Sequence, residues 1–429
     1  MQSIDKVITM RQTLVEKIIS NKIGRKVKAG EFGVFPVDMT MASDTTAPHV
    51  IRSFHEMGGT KVHDCDGSVL IIDHAAPAPN ERIANLHKMM RKFADEQNCI
   101  LYESGRGICH HVMMEEQHVK PGMFVVGADS HSCTYGAMGA FGTGMGSTDL
   151  AAIWLTGKTW LRVPTTIKVI LDGELADGVT TKDVTIALVG KLGIAGATYQ
   201  VIEFDGPFIE NLSFSARIPF ANMSVEMGAK GGIVVPHGLR NALVKNGYPD
   251  YDFDFDYPDD GATYSQTIHF DVSHLGPQLS EPGKPDQVIS ATSIEGKKID
   301  IAFVGTCTNG SLEDLRTVAH ILKGQSLARG VRLMISPASR QVLDHAIEDG
   351  TLLTLSRAGA TILPSGCGPC VGTHLGVPGD GEVVISAANR NFTGRMGNPK
   401  ASVYLASPVT VARSAIKGYI TGPAEVLNG

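Results

Sequence analysis

The chain reads as an α/β protein with mainly parallel sheets, and three observations predict it. Strand-like apolar runs alternate with helical patterns through most of the 429 residues, the arrangement that covers parallel strands with helices on both faces. Glycine is frequent at 48 residues while aromatics make up 6%, a balance that suits a loop-rich α/β enzyme better than a binding module. Five of the apolar runs end in loops carrying acids, imidazoles, arginines or thiols, and ligands of open α/β sheets bind beyond the carboxyl ends of the strands.

Taken in order, residues 10–19 carry the spacing of an amphipathic helix rather than the apolar core of a secretory signal. The run 69–72 leads into Asp73 and His74, and the run 123–126 into Gly127, Ala128, Asp129, Ser130 and His131. A glycine-rich stretch at 139–146 neither follows a strand directly nor has an acidic ribose partner at the right distance, so it predicts close backbone packing rather than a nucleotide loop. A new run opens at 167–173, which places a domain boundary near residue 164. Residues 246–285 are rich in Asp, Pro, Tyr and Gly and read as a solvated surface loop, with a second boundary near 285. The expected units are therefore 1–164, 165–285 and 286–429. In the last unit, 299–304 leads into Cys307, 360–363 into Cys367 and Cys370, and 382–385 into Asn389, Arg390 and Arg395.

Composition sets outer limits. Apolar residues at 43% and charged residues at 19% are ordinary for a water-soluble globular chain. A net charge of −6 argues against a general nucleic-acid surface. No run approaches the roughly 18 apolar residues of a membrane helix. Seven cysteines without a secretory signal point to a reducing compartment, so the cytoplasm is expected.

Three cysteines carry the most chemistry. Thiolates on loops off strand ends can converge on one point, and three can hold an iron–sulfur cube by three of its four corners. A cube for electron transfer has four protein ligands; three leave one iron open to a substrate oxygen as a Lewis acid. Taken alone, the Cys367 and Cys370 pair also suits a zinc half-site or a redox pair. A zinc site calls for a fourth Cys or His at short spacing, and only the distant Cys307 offers itself. Gly366, Gly368, Pro369 and Gly372 suit backbone N–H groups packed around cluster sulfides, which favours iron and sulfur.

The other strand-end groups have plain alternatives. Asp73 with His74 fits a capped turn, and in the next loop Ser130 fits a cap and His131 a partner of Asp129. A Ser-His-Asp hydrolase fails, because the G-x-S-x-G elbow is missing and adjacent residues cannot assume triad geometry. Arg390 and Arg395 could form surface ion pairs of little worth. Two arginines in a glycine-bearing loop are also what a dicarboxylate needs, each guanidinium gripping one carboxylate.

Together these residues resemble the aconitase and isopropylmalate-isomerase family. Seven motifs match in the family's order and span nearly the whole chain: 72–74, 107–110, 127–131, 222–229, 307–309, 367–370 and 389–395. The resemblance implies three α/β/α domains packed around one [4Fe-4S] cluster per chain, ligated by Cys307, Cys367 and Cys370, with Asn309 and Asn389 against it. It implies that Asp73, His74, Asp129 and His131 form an acid/base shell, and that His110 and Glu226 hold the water or hydroxyl at the open iron. Ser130, Arg390 and Arg395 would bind the substrate, while Cys65, Cys99, Cys109 and Cys133 have no ligand role. Full-length aconitases add a swivelling fourth domain with a serine base. This chain ends at Gly429, so that part is expected on a separate small subunit. The implied reaction is reversible dehydration and hydration of a small hydroxy dicarboxylate, foremost 3-isopropylmalate in leucine biosynthesis. Homoaconitate, 2,3-dimethylmalate and citraconate chemistry are the alternatives, and neither nucleic acid nor membrane is an expected partner. The stretch 41–48 lacks the glutamine that aconitases carry at the substrate pocket, which favours a substrate other than citrate.

Overall fold

The computed structural model of the chain describes residues 10–248 and 253–422. Among the described residues, three sheets and one ribbon make up the β structure, and most strand pairs are parallel. The first sheet runs Ile100–Tyr102, Ser68–Ile71, Met39–Ser43, Phe124–Gly127, Phe141–Gly144, all parallel. The second runs Gly231–Val234, Gln200–Asp205, Thr165–Asp172, Gln266–Asp271, also all parallel. The third has seven strands in the order Val288–Ser290, Gln278–Ser280, Ser402–Leu405, Val383–Ser386, Ile301–Gly305, Arg332–Ser336, Thr361–Ile362. Only its first two pairings are antiparallel. Phe32–Pro36 and Lys158–Arg162 form a separate antiparallel ribbon.

Strands covered on both faces read as continuous apolar runs, and Val69, Leu70, Ile71, Phe303 and Val304 are accordingly all fully buried. One hydrophobic core draws on all three sheets, with Val125, Ile202 and Phe303 among its members. The strand-end loops of the first and third sheets meet at one place.

Two expectations shift on inspection. The first helix runs Leu14–Ile23 rather than starting at residue 10, because the Glu16 carboxylate accepts from the Thr13 backbone N–H at 2.8 Å and fixes Thr13 as its cap. The tract 246–285 is not all loop: Gln266–Asp271 forms an edge strand and Gln278–Ser280 joins the third sheet. The edge strand escapes sequence reading because Ile268 is its single buried side chain. Residues 249–252 of the tract lie outside the described residues. The glycine-rich stretch does serve close packing, since a Cβ on Gly144 would stand 2.6 Å from the Asp129 carbonyl oxygen.

Candidate active site

Asp73 and His74 leave the strand Ser68–Ile71, and Asp129 caps the short helix Ser130–Met138 after the strand Phe124–Gly127, one strand further across the same sheet. His110 lies on the helix Cys109–Glu115, whose first N–H donates to Asp73 Oδ2 at 2.8 Å. Cys307 sits in the turn Thr306–Asn309 directly after strand Ile301–Gly305. Thr306 is held at φ 78°, a conformation that costs a β-branched residue about 1–3 kcal/mol and is kept here beside a candidate ligand. Cys367 caps the one-turn helix Gly368–Cys370 that ends on Cys370, and Asn389 to Arg395 follow strand Val383–Ser386.

These loops close on a cavity of about 230 Å³. Eleven of the residues singled out in the sequence line it: His74, His110, Asp129, Ser130, His131, Cys307, Cys367, Cys370, Asn389, Arg390 and Arg395, joined by Thr45 and Val371. Asp73 and Glu226 stand behind that wall and orient its members. Asn309 does not reach it, because its amide donates to Asp314 Oδ1 at 3.1 Å at the start of the next helix.

Asp129 is the hub of the polar half. Its Oδ1 accepts from the His131 backbone N–H at 2.7 Å and bonds His110 Nε2 at 3.0 Å, while Oδ2 lies 3.5 Å from His74 Nε2. Burial raises its carboxyl, but His110 and His74 outweigh that and hold it well below the usual range. His74 Nδ1 bonds Asp73 Oδ1 at 2.8 Å. Burial disfavours its charged form, yet Asp73 and Asp129 together keep the imidazole pKa well above its ordinary value. His131 goes the other way: burial and the Arg390 charge bring it down to about 4, against the pull of Glu226. Glu226 Oε1 accepts from Arg390 Nε at 2.6 Å and bonds His131 Nε2 at 3.0 Å, and Arg390 Nη1 donates to Ser130 Oγ at 2.8 Å. The site thus raises the pKa of one imidazole, His74 beside Asp129, and lowers that of another, His131 beside Glu226, the separation that acid/base chemistry uses.

The thiol half is equally ordered. Cys370 is drawn down to about 6 by the Cys367 thiol donating to it, with Arg395 Nη2 at 3.6 Å adding to that against burial. Cys367 is pushed well up by giving that bond, and burial lifts Cys307 to about 12. Asn222 Nδ2 and Asn389 Nδ2 donate to Cys307 Sγ at 3.1 and 3.4 Å. Donor atoms of Asp73, His74 and Cys367 also lie within 4.8 Å of one another, the zinc-type alternative. Both Asp73 oxygens are already engaged, by His74 Nδ1 and the Cys109 N–H, so that carboxylate serves orientation.

Two residues were given no role by sequence reasoning. Asp44, inside the stretch read only for its missing glutamine, accepts from the backbone N–H groups of Asp73, His74 and Ala75. The strand before it, Met39–Ser43, includes Thr40 and Ser43, so no continuous apolar run marked its end. Asn222 opens one of the seven motifs and ties Thr134, Cys307, Thr308 and Asn389 together.

The chain is similar to known proteins over nearly its whole length. The sequence pattern of the Aconitase family (aconitate hydratase) matches residues 16–297 and 289–418. The chain is 47% identical to the homoaconitase large subunit of Thermus thermophilus, over 97% of this chain and 98% of that protein. It is 46% identical to the 3-isopropylmalate dehydratase large subunit 1 of Thermotoga maritima and 45% identical to the 3-isopropylmalate dehydratase large subunit of Elusimicrobium minutum, in each case over 97% of this chain and 100% of the relative. Among solved structures, Thermococcus kodakaraensis aconitase X in its holo form superposes with a TM-score of 0.51 over 83% of this chain and 84% of that one, at 15% identity, a likeness of fold.

Proposed function

The chain belongs to the aconitase family, and we propose that it is the large, cluster-bearing subunit of a 3-isopropylmalate dehydratase, a hydro-lyase of leucine biosynthesis working in the cytoplasm. The observation that carries this reading is the meeting of three thiols, a charged and a neutral imidazole, and two arginines on one cavity of about 230 Å³. Relatives bearing that enzyme's name at 44–46% identity over 97% of the chain support the substrate. The described residues hold no helix long and apolar enough to cross a membrane. The division near residues 164 and 285 belongs to the same proposal; the sheets support the first boundary, while Gln278–Ser280 pairing in the third sheet moves the second to between Asp271 and Gln278.

Cys307, Cys367 and Cys370 would hold a [4Fe-4S] cluster. The donor set fits one: the thiols share a cavity, amide N–H groups already point at Cys307 Sγ, and Cys370 is biased toward thiolate. Bound there, the cluster supplies a Lewis-acidic iron that makes hydroxide a workable leaving group. The remaining work falls to side chains. Arg395, whose Nε has no hydrogen-bond partner among the described residues, lines the cavity and would bind one substrate carboxylate, and Arg390 is aligned by Glu226 and Ser130 for the other. His74, kept charged by Asp73 and Asp129, gives its proton to the departing hydroxyl in dehydration and recovers it in hydration. His131, kept neutral, and His110 hold the Asp129 side of the cavity in a fixed hydrogen-bond pattern. The base that takes the carbon-bound proton would come from a small subunit, a reading supported by the "large subunit" in the relatives' names.

The test is hydration of isopropylmaleate, homoaconitate, citraconate and dimethylmaleate by the anaerobically reconstituted chain with its small subunit. Activity centred on isopropylmaleate, and only with both chains, is expected. Faster turnover of another alkene diacid would reassign the substrate and keep the chemistry.

A further inference from the structure

Lys182 takes no part in the chemistry above, yet it reaches into the same site from behind. It sits on the first turn of helix Thr181–Leu192 and is fully buried. Its Nζ donates to the carbonyl oxygens of Ala387 and Ala388, both at 2.8 Å. Those two residues connect strand Val383–Ser386 to Asn389 and Arg390. From the strand side, Ser386 Oγ accepts from the Ala388 N–H at 3.1 Å, so the connection is gripped at both ends.

A buried ammonium is expensive, and a methionine of similar length would fill the space without that cost. Lys182 has no ion-pair partner among the described residues; burial lowers its pKa to about 7, while Asp314, Cys307, Cys370 and Asp183 pull it back up. Hydrogen bonds to two carbonyls are what the charge obtains in return, and those carbonyls fix the backbone immediately before the two residues that face substrate and thiols. The far end of Arg390 is pinned by Glu226 and Ser130, so the guanidinium is located only if its backbone end is located too. A bidentate carboxylate grip tolerates little error, and a displacement of about 1 Å costs on the order of 100-fold.

We propose that Lys182 is a positioning residue for substrate binding, which sets Asn389 and Arg390 by holding the Ala387 and Ala388 carbonyls. The inference rests on the reading of the cavity as a hydroxy-dicarboxylate site and deepens it.

The test compares the reconstituted two-subunit enzyme with its Lys182→Met variant on the best diacid of the panel, with cluster absorbance and melting temperature read alongside. The expected result is a KM raised about 10- to 100-fold with kcat changed less than about threefold and the cluster content kept. An unchanged KM overturns the proposal, as does a fall in kcat alone, which would mark a merely structural role. If Lys182→Met does not fold, Ser386→Ala loosens the same connection from its other end. That variant should raise KM about 3- to 10-fold, and an unchanged KM again overturns the idea. An enzyme inactive on every diacid would remove the functional reading itself. The comparison would then be D-malate binding by calorimetry, about tenfold weaker in Lys182→Met if the positioning holds and equal if it does not.

Discussion

Replacing Asp44 with asparagine tests how far the site depends on one carboxylate that never touches the cavity. Asp44 is 4% exposed, and its oxygens accept from the backbone N–H groups of Asp73 at 3.1 Å, His74 at 2.8 Å and Ala75 at 2.9 Å, and from His87 Nε2 at 3.1 Å. Burial raises its carboxyl, but His87, His74 and the backbone donors outweigh that and hold it well below the usual carboxylate range. Asparagine keeps one acceptor oxygen and converts the other position to a donor. Turned toward Asp73 and His74, the new NH₂ faces two N–H groups. Turned toward Ala75 it faces one, because His87 can accept by changing tautomer. The cheaper arrangement orphans one buried N–H, at about 1–3 kcal/mol, and loses charge assistance on the rest, at about 1 kcal/mol. The total of about 2–4 kcal/mol corresponds to a Tm lowered by roughly 5–15 °C for a unit of this size. Because the loosened turn carries His74, kcat should fall by about tenfold or more with it. Calorimetry on the purified variant reads the first effect and turnover per cluster the second. A Tm within about 1 °C of the parent would refute the reasoning.

Other perturbations separate the roles of the polar groups. Asp129→Asn weakens the bonds to His110 and His74, at about 1.5–3 kcal/mol each, and should lower kcat by about 10²- to 10⁴-fold at unchanged cluster content, measured as turnover per iron. Glu226→Gln removes the charge that aligns Arg390, so KM should rise about tenfold or more in steady-state kinetics. His131 and His111, both lowered to about 4 by burial, stabilise the fold above the ordinary imidazole value near 6.5 and lose that contribution as pH falls toward 4. Each is worth on the order of 3 kcal/mol, so the melting temperature should drop steeply between those pH values; a flat profile would contradict it.

Much of this site was legible in the sequence, for a physical reason. Parallel strands buried on both faces must be apolar throughout, so their ends are marked by the first polar residue. Asp73, Asp129, Cys307 and Asn389 all follow such runs. What stayed hidden acts through the third dimension. Asp44 binds backbone groups some thirty positions away, and Lys182 reaches two carbonyls in the loop after a strand of the third sheet. Nothing in the local pattern around Lys182 distinguishes it from a solvent-facing helix lysine. The edge strand Gln266–Asp271 was missed because one buried side chain leaves almost no periodicity to read. Asn309, although part of a matched motif, turned out to hold Asp314 because a side chain at a turn can serve the next helix as readily as the loop before it.

The most direct test of the account is iron, acid-labile sulfide and zinc per chain after anaerobic purification, for the parent and for Cys307→Ser, Cys367→Ser and Cys370→Ser. The account predicts about four irons and four sulfides in the parent, with loss of the full complement in each variant. Stoichiometric zinc without sulfide in the parent, or a full complement retained after any of the three substitutions, would contradict it.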